Sequence, residues 1–592
     1  MSRPDGSASA VSSRLLLGFA AGAVAFAAAD TYVVVLALPD MMTAAGLDID
    51  QLQRAAPIVS GFLLGYVGIL PLIGRIADLR GRTPVLIGSL VIFAIGSVLT
   101  AVAYDLDTMV LGRFVQGVGG GGLVPATLAL VADLWPAERR GLPLGVVGAV
   151  QELGSVLGPL YGAVVIAVAD WRAIFWLNCA VGLVLAAAIM RIRTDRPIPD
   201  GQPRAARRGW PDLPGAFLAV ATLASVAVLE LEPRSLVTDV DYGLAFLPVT
   251  GDSRWLSPLA LAALGFLMLF VVRQTFARRP LLAWRTWGDV VRETDLWGAL
   301  LLAVSLGAII IAFASANPEV QVLSPSAPWL LGVAAVGAGL FIWRQRTARH
   351  PLVPRLALSA TPAWGALAVS FFVGASLIAA LVDIPFFARI TVYRDSQLDA
   401  ALVLVRFLIA LPIGAVIGGW LTRRFGAGPL TLIAMLATAA SFVWMATWGR
   451  DALEQWHASI PLVVAGLGFG IAIAPVNAAL LAATSHDVHG VASALLVVAR
   501  MVGMLIGISV LTTIGLRQFY SASEKIPPVE QLCDGKSTAC SAYNTALVDA
   551  GIAQLHAVFL GAAVAAIIAG LLALWVFRGT RAAAAPRHAS GL

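Results

Sequence analysis

Long runs of apolar residues alternate with short polar segments along almost the whole chain. A helix of about 20 apolar residues crosses the hydrocarbon core of a bilayer, and most of these runs reach that length. The pattern predicts an all-α polytopic membrane protein with about sixteen spans, although the short run at 328–344 leaves fourteen as an alternative. The predicted spans lie near 15–39, 56–77, 84–104, 108–133, 142–168, 173–190, 213–231, 256–273, 295–316, 328–344, 361–384, 399–422, 429–448, 459–483, 488–515 and 551–577.

Two parts of the sequence resemble each other, which predicts two related halves. A pattern in the fifth run returns in the fifteenth, where Gly490, Arg500, Gly503 and Gly507 match Gly141, Gln151, Gly154 and Gly158. The segment 74–81 similarly matches 419–426, and Asp30 has Asp383 at a similar distance along the second half. We predict an N-terminal six-helix bundle at 1–195, linker helices at 196–360 and a C-terminal six-helix bundle at 361–592.

The four middle runs contain a duplication of their own. Residues 212–216 match residues 295–299, and residues 273–281 match residues 344–352. A copied helix pair is an even insertion, so it leaves both flanking bundles in the same orientation across the membrane. The sequence therefore predicts a four-helix linker made of two related helix pairs.

Composition excludes an ordinary soluble protein, because only 12% of the residues are charged against roughly 25% in soluble domains. Placing the N-terminus in the cytoplasm puts most of the 40 Lys and Arg residues in cytoplasmic segments. We expect a multi-pass inner (plasma) membrane protein with both termini in the cytoplasm, and we attribute the net charge of +6 to this pattern rather than to nucleic acid. The loop 517–550 is then external, where a disulfide between Cys533 and Cys540 is favoured over two free thiols.

The fifth run carries a single acid among glycines. At 100° per residue, Glu152 shares a helical face with Gly145 and Gly148, while Gly154 and Gly158 lie on a different face. Glycines four residues apart allow a neighbouring helix to approach closely, and Pro159 predicts a kink. We expect this helix to pack tightly on its glycine side and to present a carboxylate to a cavity on the other.

Ionisable residues inside the spans are functional candidates, because a charge at the bilayer centre costs several kcal/mol. A buried carboxylate whose access and partner change between conformations can take up a proton on one side and release it on the other. The alternatives are fixed ion pairs and helix-packing hydrogen bonds. For Arg406, which lies early in its span, a further alternative is that its side chain extends outward to the membrane surface. The candidates for proton coupling are Asp30, Glu152, Asp383, Arg500, Arg113 and Arg406, and the neutral residues Gln116, Gln151 and Asn477 are expected to form interhelical hydrogen bonds.

Three motifs resemble those of the major facilitator superfamily. The segment 74–82 is similar to the cytoplasmic loop motif between the second and third helices, 111–117 resembles the helix-four motif, and 154–162 resembles the antiporter motif. Thr83 and Ala163 are mild departures. The resemblance implies two six-helix bundles that rock about a central cavity, with ion pairs that gate the cytoplasmic face. The gating residues would be Gly74, Asp78, Arg80, Gly81 and Arg82, and the antiporter motif would comprise Gly154, Gly158, Pro159 and Gly162.

A closer resemblance is to the mycobacterial multidrug and triacylglyceride exporters that work with a periplasmic lipid-carrying lipoprotein. The segments that carry it are 30–35, 151–162, 407–416 and 499–501. This resemblance implies proton-linked export of an apolar, triacylglyceride-like lipid, with membrane lipids and such a lipoprotein as partners. Asp30, Glu152 and Arg500 fall on the charged membrane positions of that family. Two linker helices are usual there, and this chain has four predicted ones and only a short outer loop at 450–459.

Other classes fit the sequence less well. An embedded enzyme needs a cluster of acids, histidines or metal ligands, and the histidines at 486 and 489 lack the H-E-x-x-H spacing. No phosphate-binding loop motif occurs, which argues against direct ATP drive, so we expect no cofactor and no metal, and energy from the proton motive force. A receptor or scaffold would not need buried acids. A multidrug/proton antiporter for small amphipathic cations stays open as the alternative, and we expect a monomer.

Overall fold

A computed structural model describes residues 6–47, 52–136, 139–192, 212–239, 241–250, 254–277, 293–314, 326–354, 357–393, 397–533 and 540–578. Sixteen helices of at least 19 residues lie in these ranges, and no strand does. They are α1 Gly6–Ala44, α2 Leu52–Arg80, α3 Arg82–Val102, α4 Leu106–Leu134, α5 Gly141–Val168, α6 Arg172–Ile192, α7 Leu213–Leu231, α8 Pro258–Phe276, α9 Leu296–Ala314, α10 Ala327–Thr347, α11 Thr361–Ile390, α12 Gln397–Phe425, α13 Ala427–Met445, α14 Ser459–Ala483, α15 His489–Ser523 and α16 Ser541–Val576.

Most of these helices could cross a bilayer. Within the described ranges, 13 helices are long and apolar enough to do so, and Leu213–Leu229 and Leu296–Ala312 are shorter apolar segments. The prediction of an all-α polytopic membrane protein is confirmed. The run at 328–344, which was the weakest in the sequence, is one of the 13.

The six helices α1–α6 and the six helices α11–α16 form two halves with the same internal arrangement. In each half the first helix packs against the fifth, the second against the fourth, and the third against the fourth and the sixth. The second half encloses a large cluster of buried apolar side chains, and the large cluster of the first half extends to buried residues of α9, α14 and α15. The repeat in the sequence is therefore a repeat in three dimensions.

Glycines fix the register within each half. A Cβ atom at Gly154 or Gly158 of α5 would overlap the backbone of Ala25 or Ala29 in α1. Gly503 and Gly507 of α15 meet the backbone of α11 in the same way, at Phe371 and Ala375. Counting from these contacts, the residue of α11 that corresponds to Asp30 is Ser376. The expected correspondence of Asp30 with Asp383 is thus wrong, because Asp383 lies about two helical turns further along α11.

Two pairs of helices join the halves, α5 with α12 and α2 with α15. Gly141 of α5 lies against Gly419 of α12, and Gly74 of α2 lies against Gly490 of α15, each so closely that a Cβ atom would not fit. These four glycines lie at the same end of the halves, which we call the gating end.

The linker helices form two hairpins, α7 with α8 and α9 with α10. Asp212 caps α7 by accepting a hydrogen bond from the Gly215 amide at 3.2 Å, and its carboxylate lies 3.0 Å from the Arg273 guanidinium. Asp295 caps α9 and pairs with Arg344 at the same distance of 3.0 Å. The duplicated sequences thus fold into two hairpins, each joined at one end by an Asp–Arg ion pair that we call the clasp. The predicted boundary at 195/196 lies outside the described residues, and that at 360/361 coincides with the start of α11.

Candidate functional site

An ion pair joins the two halves near the middle of the molecule. Because the glycine face of α5 packs on α1, the opposite face presents Glu152 to Arg500 of α15 in the other half. The Glu152 Oε1 atom lies 3.7 Å from Arg500 Nη1, and the two side chains are 14% and 16% exposed. This pair is therefore largely shielded but not sealed, and separating the halves would break it.

A small cavity of about 40 Å³ lies between the halves beside this pair. Aliphatic side chains and glycine form most of its wall. The polar residues that line it are Gln151, Ser370, Asn477 and Arg500. The Asn477 amide donates to the Ile473 carbonyl of its own helix at 2.9 Å, which corrects the expectation that it bonds another helix.

Asp30 lies in a second site, which is closed within the first half. Its carboxylate is only 1% exposed and receives three donors: Arg113 Nη1 at 2.7 Å, Gln116 Nε2 at 3.0 Å, and the Asn178 amide. These donors come from α4 and α6. Asp30 is thus a paired and fully hydrogen-bonded carboxylate rather than a group in contact with the cavity.

The guanidinium of Arg113 is equally enclosed. It donates to Gln116 Oε1 at 2.6 Å and to the Ile58 carbonyl at 3.4 Å, and its Cζ atom lies 4.4 Å from the Phe62 ring centroid. Gln116 also donates to Ser97 Oγ at 3.0 Å, so it forms interhelical hydrogen bonds as predicted. Sequence reasoning did not find Ser97 and Asn178, although an amide within an otherwise apolar run is a signal that could have indicated the latter.

Asp383 and Arg406 belong to neither site. Asp383 is half-buried on α11, and among the described residues it has no hydrogen-bond or ion-pair partner. Arg406 donates to Ser459 Oγ at 2.8 Å, near the start of α14. The six candidates for proton coupling are therefore arranged as two pairs and two separate residues.

The gating end is held by a carboxylate at a helix start. Asp78 accepts hydrogen bonds from the backbone amides of Gly490 at 2.8 Å and Val491 at 3.0 Å, in the first turn of α15. The partial positive charge of a helix N-terminus favours a carboxylate at this position. Asp78 also pairs with Arg82 at 3.1 Å. The contact thus ties α2 of the first half to α15 of the second.

Arg82 extends this network. It donates to the His486 carbonyl at 2.8 Å and lies 3.5 Å from Asp133 of α4, whose carboxylate is 2.8 Å from His486 Nε2. Gly81 has a φ of 90°, which allows the chain to turn sharply between α2 and α3. Arg80 lies in the last turn of α2. The predicted gating motif therefore surrounds the point where the halves meet.

The remaining predicted residues lie outside these sites. Cys533 and Cys540 form a disulfide in the segment between α15 and α16. Gly162 continues the glycine face of α5 against Val33 of α1, and Pro159 falls within α5. Among the described residues no group of three or more His, Cys, Asp or Glu side chains is arranged to hold a metal ion.

Known sequences resemble the chain over most of its length. The family profile described as Major Facilitator Superfamily matches residues 20–345. The triacylglyceride transporter of Mycolicibacterium hassiacum is 34% identical, over 96% of this chain and 91% of that protein. The triacylglyceride transporter of Mycobacteroides abscessus is 34% identical, over 88% of this chain and 86% of that protein. The probable triacylglyceride transporter of Mycobacterium leprae is 33% identical, over 95% of this chain and 96% of that protein.

Solved structures share the fold. The human organic anion transporter MFSD10 has a TM-score of 0.52 with 15% identity, over 95% of this chain and 99% of that chain. The proton:xylose symporter XylE, from E. coli, also has a TM-score of 0.52, with 14% identity over 96% of each chain. At such low identities these similarities concern the arrangement of the helices alone.

Proposed function

The chain belongs to the major facilitator superfamily, and we propose that it exports an apolar, triacylglyceride-like lipid by proton-coupled alternating access. It is a multi-pass membrane transporter by family. The observation that carries the finer proposal is the cavity between the halves, whose wall is mostly aliphatic and has one ion pair at its side. Its relatives named as triacylglyceride transporters support the choice of a lipid.

The Glu152–Arg500 pair is the proposed coupling element. While Glu152 is ionised, its attraction to Arg500 holds α5 and α15 together across the centre. A proton on Glu152 removes that attraction, so the halves can rock apart. Deprotonation on the opposite side restores the pair. Because Arg500 also lines the cavity, release of this pair and access of the cargo are linked through the same space.

Asp30 and Arg113 have a different part in this proposal. Their charges are balanced within the first half, and we propose that a change in the position of α5 or α6 exposes Asp30 to protonation. Asp383 and Arg406 are secondary candidates, since neither contacts a described acid or base. The drive is the proton motive force, with no cofactor.

The gating end is the proposed cytoplasmic end, with both termini in the cytoplasm of a cell whose inner membrane holds the protein. The halves are closed there through Asp78, Gly490 and Arg82. The described helices therefore represent a state in which cargo does not pass to the cytoplasm. Opening requires Asp78 to leave the start of α15.

A lipid-carrying lipoprotein of the cell envelope is the proposed partner of a monomeric transporter. The helices α15 and α16 have 35 and 36 residues, and at about 1.5 Å per residue they exceed the roughly 30 Å hydrocarbon core. The ends that lie away from the gating end, near the Cys533–Cys540 disulfide, thus reach beyond the bilayer. This extension supports docking of a partner on the external side.

The test is transfer of labelled triacylglycerol across proteoliposomes under an imposed pH gradient. Glu152→Gln should slow gradient-driven transfer at least about tenfold, because it removes the titrating charge. Glu454→Gln, which changes an exposed acid in the loop before α14, is the matched control and should transfer at the native rate.

A cationic dye in the same vesicles tests the alternative function. Movement of the dye without lipid would establish a multidrug/proton antiporter instead. The position of Arg500 in the cavity wall disfavours a cationic cargo. Undiminished lipid transfer by Glu152→Gln would refute the coupling mechanism while leaving the cargo intact.

A further inference from the structure

One buried histidine at the gating end has no part in the proposed coupling mechanism. His489 is the first residue of α15 and is only 2% exposed. The two residues that follow it, Gly490 and Val491, supply the backbone amides that bind Asp78 while this end is closed. His489 therefore lies directly beside the contact that must break for the gating end to open.

The Nε2 atom of His489 ties the start of α15 to the end of α14. It lies 3.1 Å from the Leu481 carbonyl oxygen and 3.2 Å from the Thr484 carbonyl oxygen. Helix α14 ends at Ala483, and the last carbonyls of a helix have no donor within the helix, so His489 supplies one from outside. Because a carbonyl oxygen can only accept a hydrogen bond, Nε2 must carry a proton.

The other ring nitrogen of His489 has no acceptor for a second proton. Its Nδ1 atom is buried and, within the part of the chain that the structure describes, has no hydrogen-bond partner. An imidazolium ring carries a proton on both nitrogens, and a buried donor without an acceptor is costly. The closed gate thus holds His489 as a neutral imidazole with its proton on Nε2.

The surroundings of His489 also oppose a positive charge on its ring. A cation is unfavourable at a helix start, where the helix dipole places partial positive charge. Nearby acids have other partners, because Asp78 binds backbone amides and Arg82, and Asp133 lies beside Arg82. The charged and titratable side chains that face this turn are Arg75 and Asp78 of α2, Arg82 of α3, Asp133 of α4, Arg140 before α5, and His486 and Asp487 of the turn itself.

We infer that His489 is a positioning residue of the gate, and that the closed gate and a protonated His489 exclude each other. This inference rests on the proposed function, because it takes the gating end as the end that opens to the cytoplasm. When α15 leaves α2, water reaches Nδ1 and the ring can take up a proton with the ordinary histidine pKa of about 6.5. Proton uptake by the open state alone stabilises that state, so acid on the cytoplasmic side favours opening.

The neighbouring His486 has the opposite effect. Its Nε2 atom lies 2.8 Å from Asp133 of the first half, and its side chain is 63% exposed. Protonation of His486 strengthens this contact between the halves and therefore favours the closed gate. His486→Gln removes the opposing group, while the backbone carbonyl of residue 486 still accepts the hydrogen bond from Arg82.

Spin labels on both sides of the gating end test the inference. Pro84 and Pro429 are exposed and occupy corresponding positions in the first turns of α3 and α13. Cysteines there, in a background of Cys179→Ser and His486→Gln, carry labels whose separation in nanodiscs is measured by double electron–electron resonance. Between pH 7.5 and pH 5.5 the ratio of open to closed protein should rise by a factor about tenfold larger with His489 than with His489→Gln. Glutamine is the matched replacement, because its amide can donate to the same carbonyls and does not titrate.

The outcomes are distinct. Glu152 is present in both proteins, so its titration does not alter the comparison. Equal pH responses with His489 and with His489→Gln would overturn the inference, as would a smaller open fraction at pH 5.5 in the protein with His489 alone. A separation that stays the same in every protein at both pH values would reject opening at this end, on which the proposed alternating access also rests.

A second measurement does not depend on opening. A bifunctional maleimide of matching length joins the same two cysteines and holds the gate closed. Nitrogen NMR of this protein with ¹⁵N-labelled histidine should show His489 as a neutral ring protonated on Nε2 even at pH 5.5, its resonance being the one that is lost in His489→Gln or His489→Asn. A charged ring, or a neutral ring protonated on Nδ1, would contradict the inference.

Discussion

The cores of the two halves have the same backbone arrangement and opposite chemistry. In the first half the buried positions carry an acid, a base, an amide and a hydroxyl: Asp30, Arg113, Gln116 and Ser97. The corresponding positions of the second half carry Ser376, Leu462, Ala465 and Phe442, all fully buried. One half thus holds a charged network where the other has an apolar core.

Aromatic rings fill the space in the second half. Phe442 lies 6.1 Å from Phe559 between ring centroids, and Phe407 lies 5.9 Å from Phe469. Such rings need no partner for a charge, whereas each buried charge of the first half must be paired at a cost in desolvation. At these positions, buried charge is therefore confined to the first half, and the second half is stabilised by apolar packing.

The largest loss of stability is expected when Arg113 of the first half is replaced by leucine, the residue at the corresponding position 462 of the second half. Arg113→Leu leaves the Asp30 carboxylate buried without its counter-ion, which should reduce the free energy of unfolding by about 3–5 kcal/mol. The double variant Asp30→Ser with Arg113→Leu removes both charges and should regain part of that stability. Thermal unfolding of the purified proteins in detergent measures both, and an Arg113→Leu variant as stable as the native protein would contradict a structural need for the charge pair in the first core.

The glycine faces of α5 and α15 allow a test of a feature that the two halves share, the close packing of their first and fifth helices. Gly158→Ala and Gly507→Ala each introduce a Cβ atom against the backbone of a neighbouring helix, at Ala29 and Ala375. Overpacking of this kind should cost about 1–3 kcal/mol in either half. Comparable losses of thermal stability are expected. If one variant were tolerated and the other not, the structural correspondence used to pair Asp30 with Ser376 would be in doubt.

A smaller effect is expected at the position equivalent to Asp30. Ser376→Ala removes a hydrogen bond from Ser376 Oγ to the Ala562 carbonyl, which is worth about 1 kcal/mol or less. The pH dependence of lipid transfer should be unchanged, because no titrating group is lost. A shifted pH profile in the vesicle assay would show that the second core takes part in coupling after all.

The Asp212–Arg273 pair of the linker lies outside both cores, and the smallest effect on stability is expected there. Burial opposes ionisation of Asp212, but hydrogen bonds from Arg273, the Gly215 amide and Gln274 hold the pKa of this carboxyl below its ordinary value. A lowered pKa in the folded state contributes stability above the unfolded pKa of about 4, and this contribution is lost as the pH falls through the folded pKa.

Since Arg273 is 45% exposed, solvent limits this contribution to less than about 1 kcal/mol. The loss of thermal stability between pH 6 and pH 3 should therefore be slightly smaller for Asp212→Asn than for the native protein. An identical loss in both proteins would show that the clasp has no part in acid sensitivity.

The sequence by itself determined the helices, the two related halves and the duplicated linker. These follow from apolar run length, helical period and repeated motifs, which are properties of neighbouring residues. The same local logic placed Glu152 opposite the glycine face of α5, and the family resemblance indicated Asp78 and Arg82 as gating residues. The sequence leaves both Arg113 and Arg500 open as partners of the membrane acids, because neither is close to Glu152 in the chain.

Only the tertiary structure decided which residues correspond and what the insert covers. Asp30 corresponds to Ser376 rather than Asp383, because the register between two helices is set by which backbones touch. Asn178 reaches Asp30 only because α6 folds beside α1, and α9 packs against α2 and α15 rather than α5 and α12 for similar reasons. Hydrophobicity along a chain specifies that a helix must be buried in the membrane. It does not specify the neighbour, because that choice depends on packing between segments hundreds of residues apart.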